Sequence, residues 1–267
     1  MDFSSRAHRD AIETEMAWQD RDIPVTVYQA LRKTADQHGS RPAVTFQLMS
    51  GPKDPAETLS WGDLRAKTAQ AANLFRSLGI GEHDVVAYLL PDSNETVLAL
   101  LGGMTAGIVN PSNPLLDADQ IASILRETNA KVLVTLKAFP KTDVPQKAAE
   151  AVAMAPNIET VLEVDLLRYL TPPKAWIVPL IRPKHPVGHN ATEKSFVAEM
   201  ERQPTELSFD EVSHDRVGAY FHTGGTTGMP KVAQHRHSGM LYNGWLGASL
   251  LFEPDRVSVC PLPLFNV

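Results

Sequence analysis

Apolar positions recur every three or four residues through 61–78, where Trp61, Leu64, Ala71, Leu74, Phe75 and Leu78 share one helical face. Ser60 and Asp63 have the spacing of a capping box, and Gly79 supplies the stop. The pattern then changes. "DVVAYLL", 84–90, is an unbroken run of strand formers closed by Pro91. Helical spacing resumes from about 94 and runs into a short strand near Ile108 and Val109.

The same alternation continues downstream. "DADQIASILRETN", 117–129, is predicted as a helix opened by Asp117 with Gln120 three residues later, and it feeds the strand "KVLVTL", 131–136. A helix over 144–154 and the strand "IETVLEV", 158–164, repeat the theme. Apolar strands separated by amphipathic helices imply right-handed crossovers and an α/β fold, with largely parallel β-sheet flanked by helices. No self-similarity accompanies the alternation, which excludes a solenoid.

Residues 166–212 break the rhythm. "LLRYLTPPKAWIVPLIRPKHPVGHN" is too rich in proline for a central strand or an uninterrupted helix. Its Arg168, Lys174, Arg182 and Lys184 alternate with Leu, Trp, Ile and Val. Two readings stay open: an arm packed on its own domain, which is preferred, and peripheral membrane or partner contact through 166–190. Three parts are therefore expected: an α/β subdomain over 1–165, a Pro-rich peripheral arm over 166–212, and a third part over 213–267. Loops such as "MSGPKDP" and the arm are expected to lie outside the sheet.

"RVGAYFH", 216–222, restarts a strand, and "KVAQH", 231–235, reads as another, followed by a helix near 238–252. Between the two strands the chain places glycines and threonines that cannot pack a core. Gly224, Gly225 and Gly228 allow backbone N–H groups to converge into an anion nest. Thr223, Thr226 and Thr227 add hydroxyl donors, Lys231 adds a mobile cation, and Pro230 stiffens the exit. A polar surface turn has a similar composition. The spacing is not that of a Walker A loop, because Met229 and Pro230 precede the lysine.

Charge and cysteine content narrow the choice of function. The chain has 267 residues, is 43% hydrophobic and carries a formal charge of −6, which argues against a dedicated nucleic-acid binder. Its single cysteine, Cys260, excludes an internal disulfide and a four-cysteine zinc site and fits a reducing, cytoplasmic setting. Cys260 reads as an inert thiol in a buried apolar strand that closes the sequence, an abrupt end that suggests truncation. His214, His222, His235 and His237 flank the loop, but without a suitable cysteine or a clear acidic partner beyond Asp215 they read as structural rather than metal ligands, so no metal site is assigned. The amino terminus is charged throughout and is no signal peptide. The run "VLALLGGMTAGIV", 97–109, is too short to span a bilayer.

The segment Thr223-Gly224-Gly225-Thr226-Thr227-Gly228-Met229-Pro230-Lys231 resembles the signature loop of the adenylate-forming (AMP-binding) superfamily, which includes acyl-CoA synthetases, peptide-synthetase adenylation domains and luciferases. The usual form is Thr-Ser-Gly-Thr-Thr-Gly-x-Pro-Lys-Gly, so Gly224 replaces a serine and Val232 the last glycine. Residues 58–116 are similar to the family's early helix–strand–helix block, and "PLPLFNV", 261–267, to the start of its Pro-Leu-Phe-His motif, with Asn266 where histidine is common.

The resemblance implies the amino-terminal part of the family's large domain. It also implies activation of a carboxylic acid, fatty or other, by ATP to an acyl-adenylate, with Mg2+, followed by transfer to coenzyme A. Thr223, Gly224, Gly225, Thr226, Thr227 and Gly228 would then bind nucleotide, Lys231 would be the catalytic clamp, and Phe265 and Asn266 would face the acyl pocket. Segments that contact adenine, ribose and magnesium in the family are expected past Val267, so this stretch alone is expected to be inactive. The alternatives are an adenylation enzyme loading a carrier-protein thiol and a catalytically silent nucleotide-binding fragment.

Overall fold

A computed structural model describes residues 5–184, 188–223, 231–250 and 255–265. The chain opens with helix α1 (Arg6–Thr14) and α2 (Val27–His38), the latter capped by Thr26, whose hydroxyl accepts the Gln29 N–H. Strands β1 (Pro42–Phe46) and β2 (Glu57–Ser60) form a separate antiparallel hairpin, with "MSGPKDP" in its connection as expected.

Helix α3 (Trp61–Ser77) starts at the predicted capping box. Ser60 Oγ accepts the Asp63 N–H, and Asp63 accepts the Ser60 N–H in return. Gly79 ends it with φ of 82°, the left-handed conformation that favours glycine. The chain then lays down β3 (Val85–Leu89), α4 (Asn94–Ala106), β4 (Ile108–Pro111), α5 (Ala118–Glu127), β5 (Ala130–Leu136), α6 (Val144–Ala153) and β6 (Thr160–Val164).

After a 3-10 turn at Leu166–Tyr169 come α7 (Lys174–Ile181), β7 (Thr192–Ser195) and α8 (Phe196–Met200). Residues 166–212 are therefore not wholly outside the sheet. Past the prolines, Thr192–Ser195 carries none, so its N–H groups can pair with β6 as an outermost strand. Strands β8 (Val217–Thr223) and β9 (Lys231–Arg236) and helix α9 (His237–Leu250) follow.

The main sheet has the order β7-β6-β5-β3-β4-β8-β9, parallel except for the antiparallel β8–β9 pair. Its central strand β3 is buried along its whole length, which explains its uninterrupted apolar sequence. Helix α4 is apolar on nearly every side because it is enclosed between α3 and the sheet. Gly102 makes that approach close, since a Cβ there would stand 2.6 Å from the Ala71 Cβ.

One sequence expectation fails. Residues 256–260 form no strand, and Cys260 is exposed beside Val257 and Val259, at 92% and 89%. Apolar alternation selects a strand only where a neighbouring ladder satisfies its backbone, and no described residue offers one here. No helix among the described residues is long and apolar enough to cross a membrane.

Candidate functional site

The crossovers change direction at β3. The chain steps from β3 to its neighbour β4, then returns past β3 to β5. With right-handed connections, α4 and α5 lie on opposite faces, so the reversal of direction falls between β3 and β5, and the carboxyl margin of the strands is the usual place for ligands in such sheets. Strand β8 runs parallel to β4 and ends at the same margin.

The glycine- and threonine-rich segment joins β8 to β9. Thr223 pairs with Lys231 and His222 with Val232, so the two strands bring the segment's ends together. Lys231 is exposed at the start of β9. The candidate residues Gly224, Gly225, Thr226, Thr227 and Gly228 lie outside the described residues, as does Asn266.

The far end of this hairpin is locked. Arg216, buried at the start of β8, donates to the carbonyls of Gly107 at 2.6 Å, Met104 at 2.8 Å and Thr105 at 3.3 Å, at the carboxyl end of α4. A cation there satisfies carbonyls the helix leaves open and complements its dipole. Asp215 accepts from Arg236 at 2.7 Å and from the Ser238 N–H at 3.0 Å and hydroxyl at 2.8 Å, tying β9 and the start of α9 to the entry of β8. Burial acts to raise the Asp215 carboxyl, but the hydrogen bonds from Arg236 and Ser238 outweigh it and hold the group below the usual carboxylate range.

His237 completes the lock. Its N–H donates to Arg216 O at 3.0 Å, and its Nδ1 accepts the Val27 N–H at 3.3 Å, which requires a ring nitrogen without a proton. Burial, reinforced by the Arg216 cation, pushes the imidazole down to about 4. Gly218 makes room for the ring, since a Cβ there would stand 2.9 Å from it.

The histidines thus serve separate ends. His222 is half-buried in β8 and burial lowers its pKa, His235 stacks edge-on against Phe221, and His214 bonds Glu82 at 2.8 Å. Among the described residues no three His, Cys, Asp or Glu side chains converge on a metal-sized site.

A second candidate residue reaches the same margin by a different route. The Tyr88 hydroxyl, at the buried end of β3, donates to Leu264 O at 2.7 Å, and Asp92 accepts the Leu264 N–H at 2.9 Å. The neighbouring Phe265 is half-buried. Sequence reasoning missed these anchors and Arg216. An arginine opening an otherwise apolar strand, in "DRVGAYFH", is the signal that marked the latter.

Comparison with known proteins places the geometry in context. A family model described as AMP-binding enzyme matches residues 31–267. The chain is 32% identical to the marinolic acid–CoA ligase of Pseudoalteromonas sp. (strain SANK 73390), over 91% of this chain and 35% of that one. It is 26% identical to 4-coumarate–CoA ligase 1 of Arabidopsis thaliana, over 92% and 41%. Surfactin synthase subunit 1 of Bacillus subtilis (strain 168) is 30% identical over 56% of this chain and 4% of its own length.

Among solved structures, the anthranilate CoA ligase AuaEII in complex with anthranoyl-AMP superposes with a TM-score of 0.63 at 20% identity, covering 83% of this chain and 36% of that one. The mixed sheet described above is thus the fold of an adenylate-forming enzyme. The chain spans well under half the length of the two CoA ligases it matches in sequence.

Proposed function

Because this chain belongs to the AMP-binding enzyme family, we propose that the protein containing it activates a carboxylic acid with ATP and passes the acyl group to coenzyme A. The observation that carries this reading is the β8–β9 hairpin. Its paired ends, Thr223 and Lys231, stand at the carboxyl margin of the sheet inside the family-matched stretch, which supports nucleotide binding by the segment between them.

In the first half-reaction a carboxylate oxygen attacks the α-phosphorus of ATP. The bond from that phosphorus to the bridging oxygen breaks, pyrophosphate leaves, and an acyl-adenylate remains. Such transfer depends on positioning and charge stabilisation more than on covalent help from protein. Backbone N–H groups of 224–228 would cradle the departing phosphates, with Thr223, Thr226 and Thr227 as hydroxyl donors. The Lys231 ammonium would offset the negative charge that moves onto pyrophosphate, acting as an electrostatic clamp and not as a base. The locked far end of the hairpin supports this role, because a clamp contributes most when it needs no reorganisation.

Mg2+, when bound with ATP, would supply further positive charge at the departing phosphates. In the second half-reaction the coenzyme A thiolate attacks the acyl carbon and AMP leaves with the bonding electrons. Phe265, held through Leu264 to Tyr88 and Asp92, would wall the acyl pocket with Asn266 beside it.

A carrier-protein thiol is the competing acceptor. The CoA ligases align over about nine-tenths of this chain against just over half for the surfactin synthase subunit, which favours coenzyme A. ATP–pyrophosphate exchange by the full-length protein tests the proposal. Lys231→Ala should raise the adenylation barrier by about 2–3 kcal/mol, roughly a 30- to 150-fold loss of exchange. An unchanged rate would remove Lys231 from the mechanism, and exchange with no acyl-CoA formed would move the reading to the carrier-protein reaction.

A further inference from the structure

Three buried polar atoms around the locked end of the hairpin find no hydrogen-bond partner among the described residues: Arg216 Nε, His237 Nε2 and Glu211 Oε1. Each is left over by the way the rest of its side chain is used. The Nη hydrogens of Arg216 serve the carbonyls of Gly107 at 2.6 Å, Val217 at 2.9 Å, Met104 at 2.8 Å and Thr105 at 3.3 Å. A guanidinium has one further hydrogen, on Nε. His237 Nδ1 accepts the Val27 N–H, so the neutral ring carries its proton on Nε2, which makes that atom a donor. Glu211, in the segment between α8 and β8, accepts from Arg32 through Oε2 at 2.6 Å and keeps Oε1 as an unused acceptor.

All three residues line one cavity of about 10 Å³, with Thr26 and Thr105 also in its wall. That is room for about one water molecule and for no larger ligand. Arg216 and His237 are 6% and 1% exposed, and the three atoms themselves are shielded from solvent. Buried donors and acceptors are rarely left unpaired in a folded protein, because each keeps the cost of losing its water.

The donor set selects water over an ion. A cation would face the Arg216 guanidinium, and an anion would face the Glu211 carboxylate. Water offers its lone pairs to the Arg216 and His237 N–H groups and one hydrogen to Glu211 Oε1. Its second hydrogen also has an acceptor in the wall. The Thr105 hydroxyl donates its own hydrogen to Leu101 O at 2.7 Å and retains lone pairs.

We propose that one resident water occupies this cavity and bridges Glu211 to Arg216 and His237. The bridge joins the segment before β8, and through Arg32 the helix α2, to the starts of β8 and α9. Glu211 thereby braces the lock without touching either residue that forms it.

The test is a crystal structure of the full-length protein at a resolution that orders single waters. One peak is expected within about 2.7–3.2 Å of all three atoms. An empty cavity overturns the proposal, as does pairing of the three atoms with other protein groups or a peak coordinated as an ion. Two variants of similar side-chain length separate the bridge from the Arg32 ion pair. Glu211→Gln gives up the charge but keeps an acceptor, and should keep the water; Glu211→Met removes the acceptor and should lose it. In solution the urea midpoint of Glu211→Met should lie below that of Glu211→Gln. Equal midpoints, or the same water held in both variants, would show that Glu211 takes no part in a bridge.

Discussion

At the scale of single residues, the hairpin's fixed end depends on groups that must keep one protonation state. His237 accepts the Val27 N–H through Nδ1 and lies close to the buried Arg216, so a proton on its ring would remove an acceptor and place two cations together. The unfolded chain takes up that proton near the usual 6.5, whereas the folded one resists until about 4. Stability from this residue is therefore complete above 6.5 and declines as the pH drops toward 4, by roughly 3 kcal/mol in total. Urea midpoints measured across that window should fall on acidification, and His237→Asn, which retains an acceptor and cannot titrate, should flatten the slope. An unchanged slope would show that other groups set the acid limb. None of this was legible in "HRHSG", because the same letters suit a metal ligand, and only the fold places Arg216 and Val27 beside the ring.

Elements show a clearer correspondence with sequence, and the reason is local. The α3 capping box and Gly79 were readable because their hydrogen bonds and φ angle involve residues three or four apart. The α3–α4 seam was not, since it depends on which small residues meet across the chain. There Gly102→Ala gains about 1 kcal/mol of helix propensity but drives its Cβ onto Ala71, with overpacking that costs about 1–3 kcal/mol. The net expectation is destabilisation. Adding Ala71→Gly should recover part of it, giving a favourable coupling in a double-mutant cycle of denaturation midpoints. Strict additivity would mean that the helices separate without strain. Strand prediction at 256–260 failed for the complementary reason: alternation reports a capacity to pair, and pairing depends on residues distant in sequence.

Over the whole molecule, the parallel α/β architecture was legible because helices and strands alternate at regular intervals, but the strand order was not. The β1–β2 hairpin and the return of β7 to the sheet depend on long-range pairing that periodicity does not encode. The order has a measurable consequence. Strands β3 and β5 lie inside the sheet with near-complete burial, whereas β9 is half exposed. Amide hydrogen exchange should therefore be slowest at Val86–Tyr88 and Val132–Val134 and much faster across Lys231–Arg236, reflecting local opening of the hairpin. Equal protection across the sheet would instead indicate a single cooperative unit. The ends of the candidate loop could be placed, while the loop's interior lies outside the described residues.

The two bonds that hold Leu264 both run to its main chain. Tyr88 and Asp92 therefore read no side-chain identity at 264 or 265, and substitutions there leave the tether intact. The segment behaves as an interchangeable panel on a fixed frame: its side chains can be exchanged while the tyrosine and aspartate keep its main chain in place.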